Sequence, residues 1–506
     1  MTDSSDKHTT VLLGATVALL LLIAIPMGVG IATTTELFFG PYTYHLFIIL
    51  TVAIVVFGAW FLIRLSRELK RRGRLARSIA FVIYLVVVVV VGVDLALELF
   101  PRLIPPRVMA NLPYGGNFLF PQGTATHEYR KDLMVKARPN AVVEIFYVND
   151  LVRHGQISPI YDYPTTHILF ATDSQGFRNQ DDATTADIVV LGDSFTELPY
   201  MNVENIWTNL VARRTGLSIR NLGVSCYGTL QEAEVLRQWG LGYRPRVVVL
   251  AFYEGNDIFD CEEFERFRQS GLSYPVWAAR QYPTRLGWLD RRPVMAMLRM
   301  ALLPYQRMAE RWSGQDARTA SLRRAYFNPL EREAGGQRQK IGLVSFNLML
   351  LSADREKVRS QRGWTLCREA IAQMKRRCDE AGAKLAVVYI PTKERVYLPL
   401  LRGEFTPEAL RDFVASNHKG FETGTAQEFD QAVFANMEET EHAMNEFCHN
   451  EGIPYLDLTG RFRDAAEHGR LVYFAFDCHW NALGNQIAAE EIESFLRPMV
   501  ASKAER

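Results

Sequence analysis

Charge of one sign is what this chain most clearly lacks. Its 57 lysines and arginines stand against 56 aspartates and glutamates, leaving +1 at pH 7, and a nucleic-acid binder would need a basic excess to neutralise phosphates. Cysteine is scarce too. The six residues Cys226, Cys261, Cys367, Cys378, Cys448 and Cys478 show no zinc-finger spacing, which excludes that class of metal site. There is no internal repeat, so solenoids and propellers are out. What is abundant is apolar residue at one end: positions 11–100 are mostly hydrophobic, and the remainder has globular composition.

Three segments in that end, Val11 to Ala32, Tyr44 to Ile63 and Ile79 to Phe100, are each long enough to cross a hydrocarbon core of roughly 30 Å at about 1.5 Å per residue. Between the second and third lies a loop carrying Arg64, Arg67, Lys70, Arg71, Arg72, Arg74 and Arg77, whereas residues 33–43 contain no lysine or arginine. The positive-inside bias puts the basic loop and the N-terminus in the cytoplasm and everything after Phe100 outside it. The competing reading is a cleaved signal peptide; a single basic residue, Lys7, and an overlong apolar stretch speak against it. Asp94 and Glu98, four apart near the outer end of the third span, read as charges snorkelling to the interface. In an oxidising compartment the six cysteines permit disulfides, with fifteen pairings open. Cys367 and Cys378, about 16 Å apart on one helix, are too distant to pair with each other.

Three regions follow: a membrane region over 1–104, a linker and N-terminal extension over 105–185 with strands at 142–148 and from 168, and a large domain over 186–500. In the last, strand-like runs at 187–191, 218–222, 246–252, 384–390 and 454–457 alternate with helical patterns at 204–214, 229–239, 362–381 and 427–450, and a final helix follows Asn481. This is the pattern of a parallel sheet wrapped by helices, an α/β fold. Near-continuous Val, Leu and Ile imply that both sheet faces are covered. About a hundred residues, 259–360, exceed an ordinary connection and read as a mainly helical insertion, either beside the site as a lid or groove, or away from it.

Four motifs fall after strand ends, where open α/β sheets bind ligands. Gly192-Asp193-Ser194-Phe195 delivers Ser194 to the opening of a helix, whose free N–H groups favour an anionic intermediate. Asn221-Leu-Gly223-Val-Ser-Cys226-Tyr-Gly228 is a glycine-containing turn that brings an N–H of Cys226 or Gly228 toward the same place. Glu254-Gly255-Asn256-Asp257 presents the Asn256 amide. In Asp477-Cys478-His479, residues two apart point the same way in an extended segment, so Asp477 can orient His479 while the other ring nitrogen faces Ser194. Each motif alone is also an ordinary turn, and Asp-x-His is also a metal pair, though no third and fourth ligand stand nearby. Their co-occurrence in this order is what points to nucleophilic acyl chemistry.

This order resembles the SGNH/GDSL hydrolase superfamily. More narrowly, Thr172-Asp-Ser-Gln-Gly-Phe-Arg178, Gly192-Asp-Ser-Phe-Thr196, Pro391-Thr-Lys-Glu-Arg-Val396 and Asp477-Cys-His-Trp-Asn481 resemble its bacterial membrane-anchored branch related to alginate O-acetyltransferase-like proteins. The resemblance implies a flavodoxin-like three-layer fold, here preceded by three transmembrane helices. It implies Ser194 as nucleophile, His479 as base and then acid, and Asp477 as its orienting partner, with an oxyanion hole of the Ser194 N–H, the Cys226 or Gly228 N–H and the Asn256 amide. The single residue between acid and histidine is shared with the acetyltransferase-like branch, and Cys226 stands where the superfamily has glycine. The expectation is a serine esterase of the bacterial inner membrane, facing outward. It needs no cofactor or metal, acts on an acylated carbohydrate or similar ester, and works beside envelope acyl-transfer or polysaccharide machinery. An O-acyltransferase and a non-catalytic envelope scaffold are the alternatives.

Overall fold

The computed structural model describes residues 127–147, 166–274, 327–334, 337–418, 424–475 and 477–501, with a few short or single positions elsewhere. The three expected spans lie outside the described residues, except for Val90 and Asp94. Among the described residues no helix is long and apolar enough to cross a membrane. Two compact units are present: one of residues 1–125 and 275–306, the other of residues 126–274 and 307–506. In the first unit Asp94 is buried and its Oδ1 accepts the backbone N–H of Val294 at 3.0 Å. The expected interfacial carboxylate thus holds a peptide group of residues 275–306.

The second unit is built on five parallel strands, β1 (Ile188–Gly192), β2 (Ile219–Asn221), β3 (Val247–Tyr253), β4 (Lys384–Ile390) and β5 (Tyr455–Asp457), in the spatial order β5-β4-β3-β1-β2. This is the flavodoxin-like order, whose reversal lies between β1 and β3. Register is set by Ile188 opposite both Ile219 and Val247, and by Lys384 opposite Val247. Alternation sends Val190, Val249 and Val388 to one face and Val189, Val248 and Val387 to the other, every one of them buried.

Each face is covered by helices. Among the helices are α1 (Ser194–Glu197), α2 (Trp207–Thr215), α3 (Thr229–Gln238), α4 (Asp257–Ser270), α5 (Arg362–Glu380), α6 (Lys393–Tyr397), α7 (Ala426–Asn436), α8 (Glu439–Asn450) and α9 (Ala482–Ala501). Trp207 and Val211 of α2 and Ile487 and Ile492 of α9 pack on the first face; Val235 of α3 and Ile371 and Met374 of α5 pack on the second. Layers of helix, sheet and helix result. The expected single helix over 427–450 is two, separated at Met437 and Glu438, and the Glu438 carboxylate there accepts from Arg395 and Arg463.

Between β3 and β4, the described residues of 259–360 hold most of α4, an antiparallel hairpin of Phe327–Ala334 with Gln337–Leu343, and two helices, Ser345–Leu351 and Arg355–Ser360. A hairpin therefore stands in a segment expected to be mainly helical. Ahead of the sheet, Val142–Tyr147 pairs antiparallel with Thr166–Ala171.

Candidate active site

β1 ends in a turn that only small residues permit. A Cβ on Gly192 would lie 2.2 Å from Thr196 Oγ1, and one on Gly223 would lie 2.5 Å from the Thr196 side chain. With those positions open, Asp193 becomes the N-cap of α1, accepting the Phe195 N–H at 2.9 Å. Ser194 follows as the first helical residue.

The structure brings Ser194, His479 and Asp477 together across 285 residues of chain. His479 Nε2 is 2.7 Å from Ser194 Oγ, and Nδ1 is 2.5 Å from Asp477 Oδ1. The same carboxylate oxygen accepts the His479 backbone N–H at 2.7 Å, which fixes the imidazole relative to its partner. Asp477 is fully buried, His479 is 5 % exposed and Ser194 8 %, so the serine is the member of the three that solvent reaches most. Phe195 and Tyr200 flank the imidazole, ring centroids 4.9 and 4.6 Å away.

Burial alone pushes the His479 pKa down; the neighbouring Cys478 and Asp477, the latter hydrogen-bonded, push it up further, and it ends well above the ordinary imidazole value. Burial also raises Asp193, to about 6. Glu232 and Asp257 are buried carboxyls pushed well above the usual range, by desolvation first and then by neighbouring charge, that of Asp193 on Glu232 and that of Glu232 on Asp257. Asp477, Cys478 and His479 offer three ligand atoms within 4.8 Å of one another. Both ring nitrogens already have partners in the carboxylate and the serine.

The expected oxyanion donors divide. Asn256 caps α4 at the end of β3; its Nδ2 donates to Asp260 at 2.7 Å, and its Oδ1 is buried without a hydrogen-bond partner. Cys226 is exposed and adopts a left-handed backbone, φ 65°. Gly228, the alternative to Cys226, is reassigned: its N–H donates to Gln231 Oε1 at 3.1 Å. A Cβ there would lie 2.7 Å from Cys261 N and 2.9 Å from Asp257 O, so its glycine is needed to pack α3 on α4.

Two positioning residues escaped the sequence reading. Lys393, buried in α6, donates to the carbonyls of Asp477 at 2.8 Å, Ala475 at 3.2 Å and Phe474 at 3.3 Å, holding the segment that carries Asp477. Arg178, also buried, donates to the Glu197 carbonyl at 2.9 Å and to those of Leu198 and Met201, fastening the exit of α1. Both sit in the blocks 391–396 and 172–178. The usable signal was charge set into a sequence that is otherwise about to be buried.

The fold and the site together define a class, a doubly wound α/β protein with a buried Ser-His-Asp constellation at the switch point of its sheet. The chain matches no family model and no curated protein. Solved structures similar to it include a protein described as lipolytic, of the G-D-S-L family, from Desulfitobacterium hafniense DCB-2, at 11 % identity and TM-score 0.29, covering 62 % of this chain and 100 % of that one. An acetyl xylan esterase is similar at 10 % identity and TM-score 0.26, covering 61 % and 98 %. A mutant acetyl-xylooligosaccharide esterase from Geobacillus Stearmophilus is similar at 9 % identity and TM-score 0.28, covering 63 % and 95 %.

Proposed function

We propose that this chain is a membrane-anchored, extracytoplasmic serine esterase that removes acyl groups, acetyl first among them, from an envelope glycan or similar ester. The observation that carries the chemistry is the unbroken chain Ser194 Oγ, His479 Nε2, His479 Nδ1, Asp477 Oδ1, with both links within hydrogen-bond reach. Ser194 attacks the ester carbonyl and its proton passes to His479 Nε2. The imidazolium is stabilised by Asp477, and the oxyanion is received by the Ser194 N–H and the Asn256 amide. His479 then protonates the leaving alcohol. Water, deprotonated by the same nitrogen, hydrolyses the acyl-serine. Placement outside the cytoplasm is supported by the basic loop at 64–77 and the three apolar spans.

The test is acetate release from an activated acetyl ester by the full chain and by its Ser194→Ala variant. Loss of turnover by a factor on the order of 10⁴ or more is expected; a variant as active as wild type would remove Ser194 from the mechanism. A second reading, transfer of the acyl group to a sugar hydroxyl in place of water, is favoured by the single residue between Asp477 and His479. Acetylated oligosaccharide in the same assay, at the expense of free acetate, would select it.

A further inference from the structure

We propose that Cys261 and Cys367 are joined by a disulfide in the mature protein, fastening the two ends of the segment inserted between β3 and β4. Their sulfurs are 3.2 Å apart, and both side chains are fully buried. Cys261 lies in the second turn of α4, at the entry to 259–360, and Cys367 lies in the second turn of α5, just past its exit. The two helices touch closely at this level: a Cβ on Gly363 would stand 2.1 Å from the Ile258 carbonyl oxygen. Glycine at 363 is thus what lets α5 come near enough for the sulfurs to meet. Closing to the ~2.05 Å of a disulfide asks for a movement of about 1 Å, within the reach of two side-chain rotations.

The two cysteines are 106 positions apart in the chain, and a crosslink over so long a loop removes much conformational freedom from the unfolded state. It also anchors the start of α4, whose N-cap is Asn256. Bond formation is a two-electron oxidation. The two thiols lose two protons and two electrons to a disulfide oxidant, either a thiol–disulfide oxidoreductase in its oxidised form or glutathione disulfide, which leaves as two thiols. Because both sulfurs are sealed from solvent, exchange is completed before α5 closes on α4, and the folded protein then resists reductants unless it is opened. This inference rests on the proposed extracytoplasmic placement and not on the ester chemistry.

The experiment is peptide mapping of the full-length protein, extracted in detergent and denatured in N-ethylmaleimide without reductant. A parallel sample is synthesised cell-free into micelles with glutathione disulfide. Expected in both is one crosslinked peptide pair holding Cys261 and Cys367, two hydrogens lighter than the sum of its parts, with Cys226, Cys378, Cys448 and Cys478 alkylated. Alkylation of Cys261 and Cys367 in both samples, or pairing with other cysteines, overturns the proposal on geometric grounds. Alkylation only in the cellular sample overturns it on grounds of compartment. Reductant applied during thermal unfolding should lower the wild-type melting temperature by on the order of 10 °C and leave a Cys261→Ala/Cys367→Ala double variant unmoved; equal responses would also count against the bond.

Discussion

The raised pKa of His479 has a kinetic consequence at the scale of the residue. Only the neutral imidazole can take the Ser194 proton, and a raised pKa keeps the ring protonated to higher pH. Esterase kcat/KM should therefore climb with pH, with a midpoint above the ordinary imidazole value of about 6.5. In Asp477→Asn the carboxylate that favours the charged ring is gone, so the midpoint should move to lower pH while the rate falls by roughly 10⁴. A wild-type midpoint at or below the ordinary value would contradict this account. Lys393 acts at one remove. Lys393→Met keeps the stem and removes the donor to three carbonyls, so kcat should drop at least tenfold with KM little changed, and the midpoint should shift as the Asp477 segment loosens. A Lys393→Met enzyme with an unaltered pH profile would reduce the residue to a structural buttress.

Among the elements, α4 is closely approached on two sides. It is approached by α3 at Gly228 and by α5 at Gly363, in both cases so closely that a methyl group would meet backbone atoms, 2.7 Å from Cys261 N in the first and 2.1 Å from Ile258 O in the second. Backbone cannot yield as a side chain can. Gly363→Ala should cost roughly 1–3 kcal/mol through forced separation of the helices. Because Asn256, the proposed oxyanion donor, is the N-cap of α4, activity should fall by more than the loss of folded protein explains. Urea denaturation with parallel turnover measurement checks both; an alanine variant as stable as wild type would show that α5 shifts freely.

Over the whole molecule, the catalytic proposal and the membrane proposal make separate demands. The constellation Ser194, Asp477 and His479 belongs wholly to the unit of residues 126–274 and 307–506. The apolar segments proposed as spans lie within residues 11–100. Full-length protein should sediment with membranes and stay there through alkaline carbonate extraction. Protease added from the extracytoplasmic side should reach residues after 126 while sparing the basic loop at 64–77. Cleavage of that loop from outside would invert the topology, and release by carbonate would end the anchored reading.

The sequence by itself determined the alternation of strand and helix from 187 onward, since apolar runs such as Val247-Val-Val-Leu-Ala-Phe-Tyr253 leave no polar face and demand cover on both sides. It also singled out Ser194, Asp477 and His479, which the fold brings within hydrogen-bond reach, because side-chain chemistry announces itself in residue type and spacing. The hairpin at 327–343 was missed for want of apolar alternation, though Gly335-Gly336 is a hairpin signal that was there to be read. Only the tertiary structure decided the rest. Arg178 and Lys393 act on backbone carbonyls, and every residue has one, so no pattern of side chains points to the partner. Gly228 looked like a donor by position and proved to be a point of helix contact, because close approach depends on what lies across the gap. Cys261 meets Cys367 rather than any other cysteine for the same reason: pairing is a matter of distance, and distance between residues 106 apart is set by packing alone.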